Sequence, residues 1–531
     1  MKKSVFSLAL LALMSLVLVS CPSAKQEESG KILRVGMINP NAKLDMHLYQ
    51  WSDLMSISDH VVQPLFAYDD NLNVVPLLTT DYPVISEDGR LYTFTLKEGI
   101  TFHDGSPMTS ADVQFLFQRM FDASVSGQIA IASGSYDMIV GSKELMNGTA
   151  SGDLRGFTII DDRTFSIELE MPFAPFIQNL AMSYAGIISK NAYLNTADKE
   201  SWGISTLIGS GPYTFKQYHH KDGVTLLANE HYWGGFRPAI DQLNFHFFDD
   251  PTTALLEYES GNIDIVELTM DKYEEYSSGR FASHIQKKDI LGTYMIIVSF
   301  TNSPFSDVKV REAFAYALDR DLIVEQVYKN ILDKNDNFLP KGIPGRNPNV
   351  KLPAYNPEKA KQLLNEAGYP NGIDIEASFR TGNQTRRQLW TLIQAKAKDA
   401  GFNITAREMD IGQHTELSNK GELIMQDAGW IASFPDADDL MYTFFHSSWS
   451  HLKSSNLKND RVDELLDTAR QSTDPEARRL MYEEVEQIVV GDNYAVYPYA
   501  NIKKIYLVQP RVQNPVFLNG IGQYWMSDLK E

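Results

Sequence analysis

A chain of 531 residues that carries one cysteine must hold its fold together without internal disulfides. The single thiol, Cys21, also excludes every multi-cysteine zinc or iron–sulfur site. Cohesion has to come from apolar packing, hydrogen bonds and ion pairs. With 43% hydrophobic and 22% charged side chains, the composition supports ordinary globular cores. At about 150 residues per domain, the length predicts three or so folding units. Cys21 follows the apolar run Val5 to Val19, which itself follows a basic start at Lys2 and Lys3. That run is too short to cross about 30 Å of hydrocarbon, so residues 1–20 read as a secretory signal peptide. No later stretch reaches about 18 consecutive apolar residues, and the remainder is expected to fold in water outside the cytoplasm.

Leu18-Val19-Ser20-Cys21 resembles the bacterial lipobox, in which the cysteine receives lipid and becomes the new N-terminus. On that reading residues 21–31 are a lipid anchor and a polar tether. The alternative is a plain signal peptide that ends in a cysteine by chance. Removing Lys2 and Lys3 takes the formal charge from −20 to −22. Such a surface repels phosphate backbones and anionic headgroups, which argues against nucleic acid and leaves the lipid as the membrane contact.

Along the mature chain, strands and helices interleave, and the fold class is α/β. Ile32 to Ile38 reads as a first strand. Tyr92, Phe94 and Leu96 alternate with polar neighbours after an Asp88-Gly89 turn, the period of a half-buried strand. Thr109 to Asp112 is a capping box, with Val113, Leu116, Phe117 and Met120 on one helical face. Asn356-Pro357 and Asp474-Pro475 open two more helices. The stripe of the first is Ala360, Leu363, Leu364 and Ala367; that of the second is Ala477, Met481, Val485 and Ile488. Motifs for nucleophilic, metal-dependent or phosphate-cradling catalysis are missing together, so an enzyme is not expected. His103-Asp104-Gly105 reads as a structural turn, His219-His220 as a solvated pair, and Asp249-Asp250 and Asp438-Asp439 as solvated or capping acids. No cofactor and no metal is expected.

The order of several short motifs is more telling than any one of them. Pro76-Leu77-Leu78, Ser86 to Gly89, Tyr92 to Leu96 and Phe102 to Gly105 are followed by Pro107, Thr109, Ala111-Asp112-Val113 and Arg119. Gly209 to Tyr213, Asn229 to Trp233, Gly261 to Asp264, Asn302, Pro304-Phe305, Val310-Arg311 with Ala313 and Ala317, Asp319-Arg320, Asn356 to Ala360 and Glu366 to Tyr369 continue the series. In this order they resemble the family 5 extracellular solute-binding proteins of ABC importers, across nearly all of residues 32 to 510. The resemblance implies a two-lobed, periplasmic-binding-protein-like fold with mixed sheets, a hinge and an extra subdomain in the larger lobe. It places lobe I at 32–275 with the subdomain at about 66–165, lobe II at 276–495, and a return to lobe I at 496–531. The crossings fall near 270–290 and 495.

The same resemblance implies a monomer that captures peptides in the cleft and delivers them to permease subunits served by separate ATPases. Peptide binders without sequence preference pair with the ligand's backbone and place charges at its ends. The implied contacts are Gln50, Trp51 and Ser52 after Leu44-Asp45, and Gly429, Trp430, Ile431, Ala432 and Ser433 opposite. The well-studied peptide binders carry an Asp at the Ser433 position, where it holds the ligand's ammonium group, and some carry a Glu near Gln50. Asp436, with Asp438 and Asp439 behind it, is the candidate replacement; Arg380, Arg386, Arg387 and Arg407 are candidates for a ligand carboxylate. An oligosaccharide or metal-chelate receptor on the same fold, or an adhesive surface lipoprotein, are the alternatives.

The anchor is directly testable. Firm attachment needs more than one acyl chain, so the mature protein should begin at an acylated Cys21 by intact mass, and Cys21→Ala should release it from membranes. A water-soluble wild type with another start would refute the anchor.

Overall fold

Ten strands form one mixed sheet that passes through both halves of the molecule. A computed structural model describes residues 30–48, 52–301, 303–453 and 455–530. In chain order the strands are β1 (Ile32–Ile38), β2 (Tyr213–His219), β3 (Gly223–Ala228), β4 (Gln242–Phe248) and β5 (Ile265–Glu267). They continue as β6 (Ile285–Val298), β7 (Ile373–Arg380), β8 (Phe402–Met409), β9 (Met425–Ile431) and β10 (Val496–Val508). Their order in the sheet is β8-β7-β9-β6-β10-β5-β1-β4-β3-β2. The first strand has the bounds expected from sequence.

β6 and β10, at 14 and 13 residues, are more than twice the usual strand length of about 5–6. They pair antiparallel from Ile285–Leu507 to Ile297–Val496. The pairing slips twice, between Asp289/Lys503 and Thr293/Asn501 and again between Tyr294/Ala500 and Met295/Pro498. Such irregularities bend a strand and raise its twist. Gly292 sits in the first slip, where a Cβ would lie 3.0 Å from the Trp430 carbonyl oxygen. Two apolar cores pack on this frame. One gathers Leu33, Phe94, Leu116 and Phe245 with Tyr506 and Val508 of β10. The other gathers Met295 to Val298, Phe314, Trp390 and Val485 with Tyr497 and Ala500 of the same strand. β10 alternates between the two, with Tyr506 and Val508 in the first core and Ile505 and Leu507 in the second, whereas β6 contributes to the second alone.

Local patterns translate directly in several places. Tyr92, Phe94 and Leu96 are buried, the first two on the strand Leu91–Thr95 of a separate four-stranded sheet. Asp112 accepts the Thr109 N–H (2.9 Å) at the start of the helix Ser110–Phe121, which buries Val113, Leu116, Phe117 and Met120. Asn356 caps Pro357–Glu366, whose buried stripe is Ala360, Leu363 and Leu364. The helix Pro475–Glu486 corrects its expected stripe. Met481, Val485 and Ile488 pack against the core as expected, but the fully buried side chains are Tyr482, Val485 and Glu486, and Ala477 is not among them. The Glu486 carboxylate accepts from the N–H groups of Leu339 (2.9 Å) and Asn347 (2.6 Å) and from Asn337 Nδ2 (3.0 Å). Burial pushes it up to about 7 despite these donors. A carboxylate used to organise a loop counts as polar surface in any periodicity, which hid the true face.

A buried ion pair fixes the loop that leads into the cleft. Arg119, on the helix Ser110–Phe121, donates Nη1 to Asp45 Oδ1 (2.8 Å), and its Nη2 also meets that carboxylate. The same Nη1 contacts His47 Nδ1 (2.8 Å), and His47 Nε2 meets the Gly186 carbonyl (2.7 Å). Burial and the Arg119 charge lower His47 to about 4, so the ring is neutral, with Nε2–H donating and Nδ1 accepting. Burial alone would raise Asp45, but the guanidinium overrides it and holds the carboxyl below its usual range. Arg119→Met leaves that carboxylate buried and unpaired, and should cost about 3–5 kcal/mol in urea unfolding. The pair's contribution should be present above the ordinary carboxyl range near pH 4 and be lost as pH falls through the lowered pKa of Asp45. A loss under about 1 kcal/mol would show that the pair does not hold the loop.

Candidate functional site

β9 offers an open edge beside the bend. On one side it pairs with β6 from Met425 to Ile431; on the other it meets β7 at the single pair Ser378–Gln426. Ala432 N–H donates to the Leu291 carbonyl (2.7 Å), so even-numbered residues of β9 bond inward. By the alternation of an antiparallel ladder, the N–H and C=O of Gly429 and Ile431 face the open edge. An extended chain can add there as a further strand.

Two cavities adjoin this edge, and a third lies along β1. Gly429 and Ile431 line one of 600 Å³, together with Lys272, Arg386, Arg387, Lys503 and Lys504. Each of these cations already faces a carboxylate. Arg386 meets Asp427 (3.0 Å), Arg387 meets Glu408 (2.6 Å), and Lys272 meets Glu275 (3.2 Å). Lys504 meets Glu267 (3.3 Å), and Lys503 meets Asp289 and Asp333 (3.2 and 3.0 Å). A second cavity of 380 Å³ begins where the edge ends, at Ser433 and Pro435, and reaches Asp59, Tyr68 and Tyr232. The third, of 310 Å³, is lined by β1 and by Asp53 and Ser56 of the helix Ser52–Ser58.

Ser433 carries no charge, but a carboxylate stands against it. Its N–H donates to Asp439 Oδ2 (2.8 Å). Asp439 lies in the first turn of the helix Ala437–Phe445, and burial pushes it up to about 7 in spite of the Ser433 donor. It forms no ion pair within 4 Å among the described residues, and its field reaches Tyr68 and Tyr184. Its two neighbours are committed elsewhere. Asp436 caps the helix through Asp438 N–H (2.9 Å) and accepts both Nη atoms of Arg478 (2.8 Å each). Asp438 takes a two-point contact from Arg470 (2.9 and 2.8 Å). Of the three acids, Asp439 alone has no ion pair within 4 Å among the described residues, although its charge acts on the Lys453 ammonium above Trp430.

The other expected contacts divide. Gly429, Ile431 and Ser433 are exposed to the cavities; Ala432 is buried. Trp430 turns inward onto Phe444 (ring centroids 5.3 Å apart) and carries the Lys453 ammonium 4.1 Å from its ring, so much of its surface is core. Burial lowers Lys453 to about 8. Ser52 begins the helix Ser52–Ser58, while Gln50, Trp51 and Cys21 lie outside the described residues. Arg407 pairs with Glu376 at the surface, and Arg380 Nη2 donates to Thr415 (3.3 Å).

Sequence reasoning missed Asn519. It sits with Gly520 at the tip of a hairpin, Val516–Leu518 with Ile521–Gln523, and both have positive φ (45° and 82°). Leu291 N–H donates to Asn519 Oδ1 (2.7 Å), and Asn519 Nδ2 donates to the Ala432 carbonyl (2.9 Å). One side chain thus ties the C-terminal hairpin to the bend of β6 and to the chain just past β9. The signal was available, since Asn-Gly between apolar runs is the strongest short hairpin signature.

The comparisons agree with this geometry. Residues 73–451 match the family described as bacterial extracellular solute-binding proteins, family 5 middle. Heme-binding protein A of Haemophilus influenzae (strain ATCC 51907 / DSM 11121 / KW20 / Rd) is 29% identical over 452 residues, covering 81% of this chain and 80% of that protein. The dipeptide-binding protein of Escherichia coli (strain K12) is 27% identical over 471 residues, covering 82% and 84%. The solved structure of HbpA2 from Haemophilus parasuis superposes with a TM-score of 0.79 at 25% identity, over 94% of this chain and all of that one.

Proposed function

Because this chain belongs to the family 5 bacterial extracellular solute-binding proteins, we propose that it captures peptides between its lobes for a permease. The observation that carries the reading is the open edge of β9, which presents backbone groups rather than a tailored side-chain pocket. The relative named as a dipeptide-binding protein supports the same ligand class. The permease with its separate ATPase subunits, the monomeric state, the absence of catalysis and the lipid anchor at Cys21 belong to this proposal. So does the division into lobe I at 32–275 and 496–531 and lobe II at 276–495, with β6 and β10 as crossings. We assign the ligand's ammonium group to Asp439, held against Ser433, in place of Asp436, whose carboxylate Arg478 occupies.

A metal chelate is the second reading, favoured by the relative named for heme binding. Calorimetry separates the two. A free-amine tripeptide should bind at least tenfold tighter than its N-acetylated form, about 1.4 kcal/mol, and Asp439→Asn should erase that difference. Binding of the free-amine form should weaken as pH falls from 7 to 5.5, where the amine stays protonated but Asp439, with its pKa near 7, takes up a proton. The groups around that carboxyl are Ser433, Trp430, Asp438, Tyr68 and Tyr184, with Lys453 above Trp430. Equal affinity for both peptide forms would remove Asp439 from the site, and binding of haem with no peptide would overturn the peptide reading.

A further inference from the structure

The two main cavities of the cleft differ sharply in charge. Five cations line the 600 Å³ cavity. The 380 Å³ cavity is lined by Asp59 and Asp70, and no Lys, Arg or His is among its lining residues. Its volume falls within the range of about 300–1,000 Å³ usual for small-molecule sites. Its walls are long and apolar, with Val62, Leu77, Met182, Phe236 and Trp525 among them. Asp70 is exposed at the rim, whereas Asp59 is part of the wall and only partly exposed.

Among the described residues, no ion pair answers Asp59. Ser183 is its hydrogen-bond partner, and burial pushes its carboxyl up to about 7. The adjacent ring of His60 offers no cation, because burial lowers it to about 3 and its Nε2 accepts the Tyr524 N–H (2.9 Å). A carboxyl placed in an apolar wall without a cation is costly unless something arrives to pair with it. A side chain with an aliphatic stem and a cationic head satisfies both features at once, the stem against the walls and the head at Asp59.

The place of this cavity along the cleft identifies which side chain enters it. Ser433 and Pro435, just past the open edge of β9, belong to its lining. A peptide added to that edge with its amine at Asp439 puts its first side chain nearest the opening. We propose that the 380 Å³ cavity is a pocket for a basic first side chain, lysine or arginine, with Asp59 as the counter-charge. This inference rests on the peptide reading above.

The test compares three tripeptides with free amines at pH 8 by calorimetry: Ala-Ala-Ala, Lys-Ala-Ala and norleucine-Ala-Ala. Norleucine fills the same walls as lysine without the charge, so the amine and the stem cancel from the comparison. In the wild type the lysine peptide should bind at least tenfold tighter than the norleucine peptide. In Asp59→Asn the two should fall within about threefold of each other. A norleucine peptide that binds as well as or better than the lysine peptide overturns the proposal, and needs no variant to do so. A tenfold lysine preference that persists in Asp59→Asn overturns the assignment to Asp59. Failure of all three peptides, trialanine included, overturns the peptide reading and this inference with it. Trialanine binding without a lysine preference overturns this inference alone.

Discussion

The pairing of β6 with β10 is the constraint on which the rest of the molecule depends. Paired along their length, these strands hold the ten-stranded sheet together as one, and β10 gives side chains to both cores while β6 gives them to one. The slips in that ladder, with Gly292 inside one of them, concentrate bending where the backbone is least regular. A hinge of this kind costs little to move and leaves each core intact. The cleft lies against the bend because β9 pairs with β6 on one edge and is left open on the other beyond Gln426.

Electrostatics then gives the cleft a direction. Cations gather in the cavity beside Gly429 and Ile431, each already paired with an acid. Acids without an ion pair among the described residues gather beyond Ser433, where Asp59 and Asp439 are both pushed up to about 7 by burial. A ligand with an extended backbone and an amine at one end matches that gradient in one orientation. The same feature leaves the empty protein with two poorly compensated carboxyls, a stability cost of the sort that binding sites commonly carry.

Local grammar in the sequence was enough for much of the fold. The capping box at Thr109, the Pro357 helix start and the alternation through Tyr92 and Phe94 all depend on neighbours within a turn or two, and each took its expected form. The site was less legible because its decisive contacts are distant in sequence. Nothing near Asp436 or Asp438 announces that Arg478 and Arg470, 42 and 32 residues on, will claim them and leave Asp439 unpaired. The Asn519-Gly520 turn was visible, but its bonds reach Ala432 and Leu291, 87 and 228 residues away. Glu486 misled for a related reason: its partners at 337–347 turn a polar position into a buried one.

The central claim is that ligand in the cleft draws the two lobes together about β6 and β10. Small-angle X-ray scattering of the protein, empty and saturated with a free-amine tripeptide, tests it most directly. The account predicts a smaller radius of gyration in the bound state. An unchanged scattering profile, at peptide concentrations that calorimetry shows to be saturating, would contradict it.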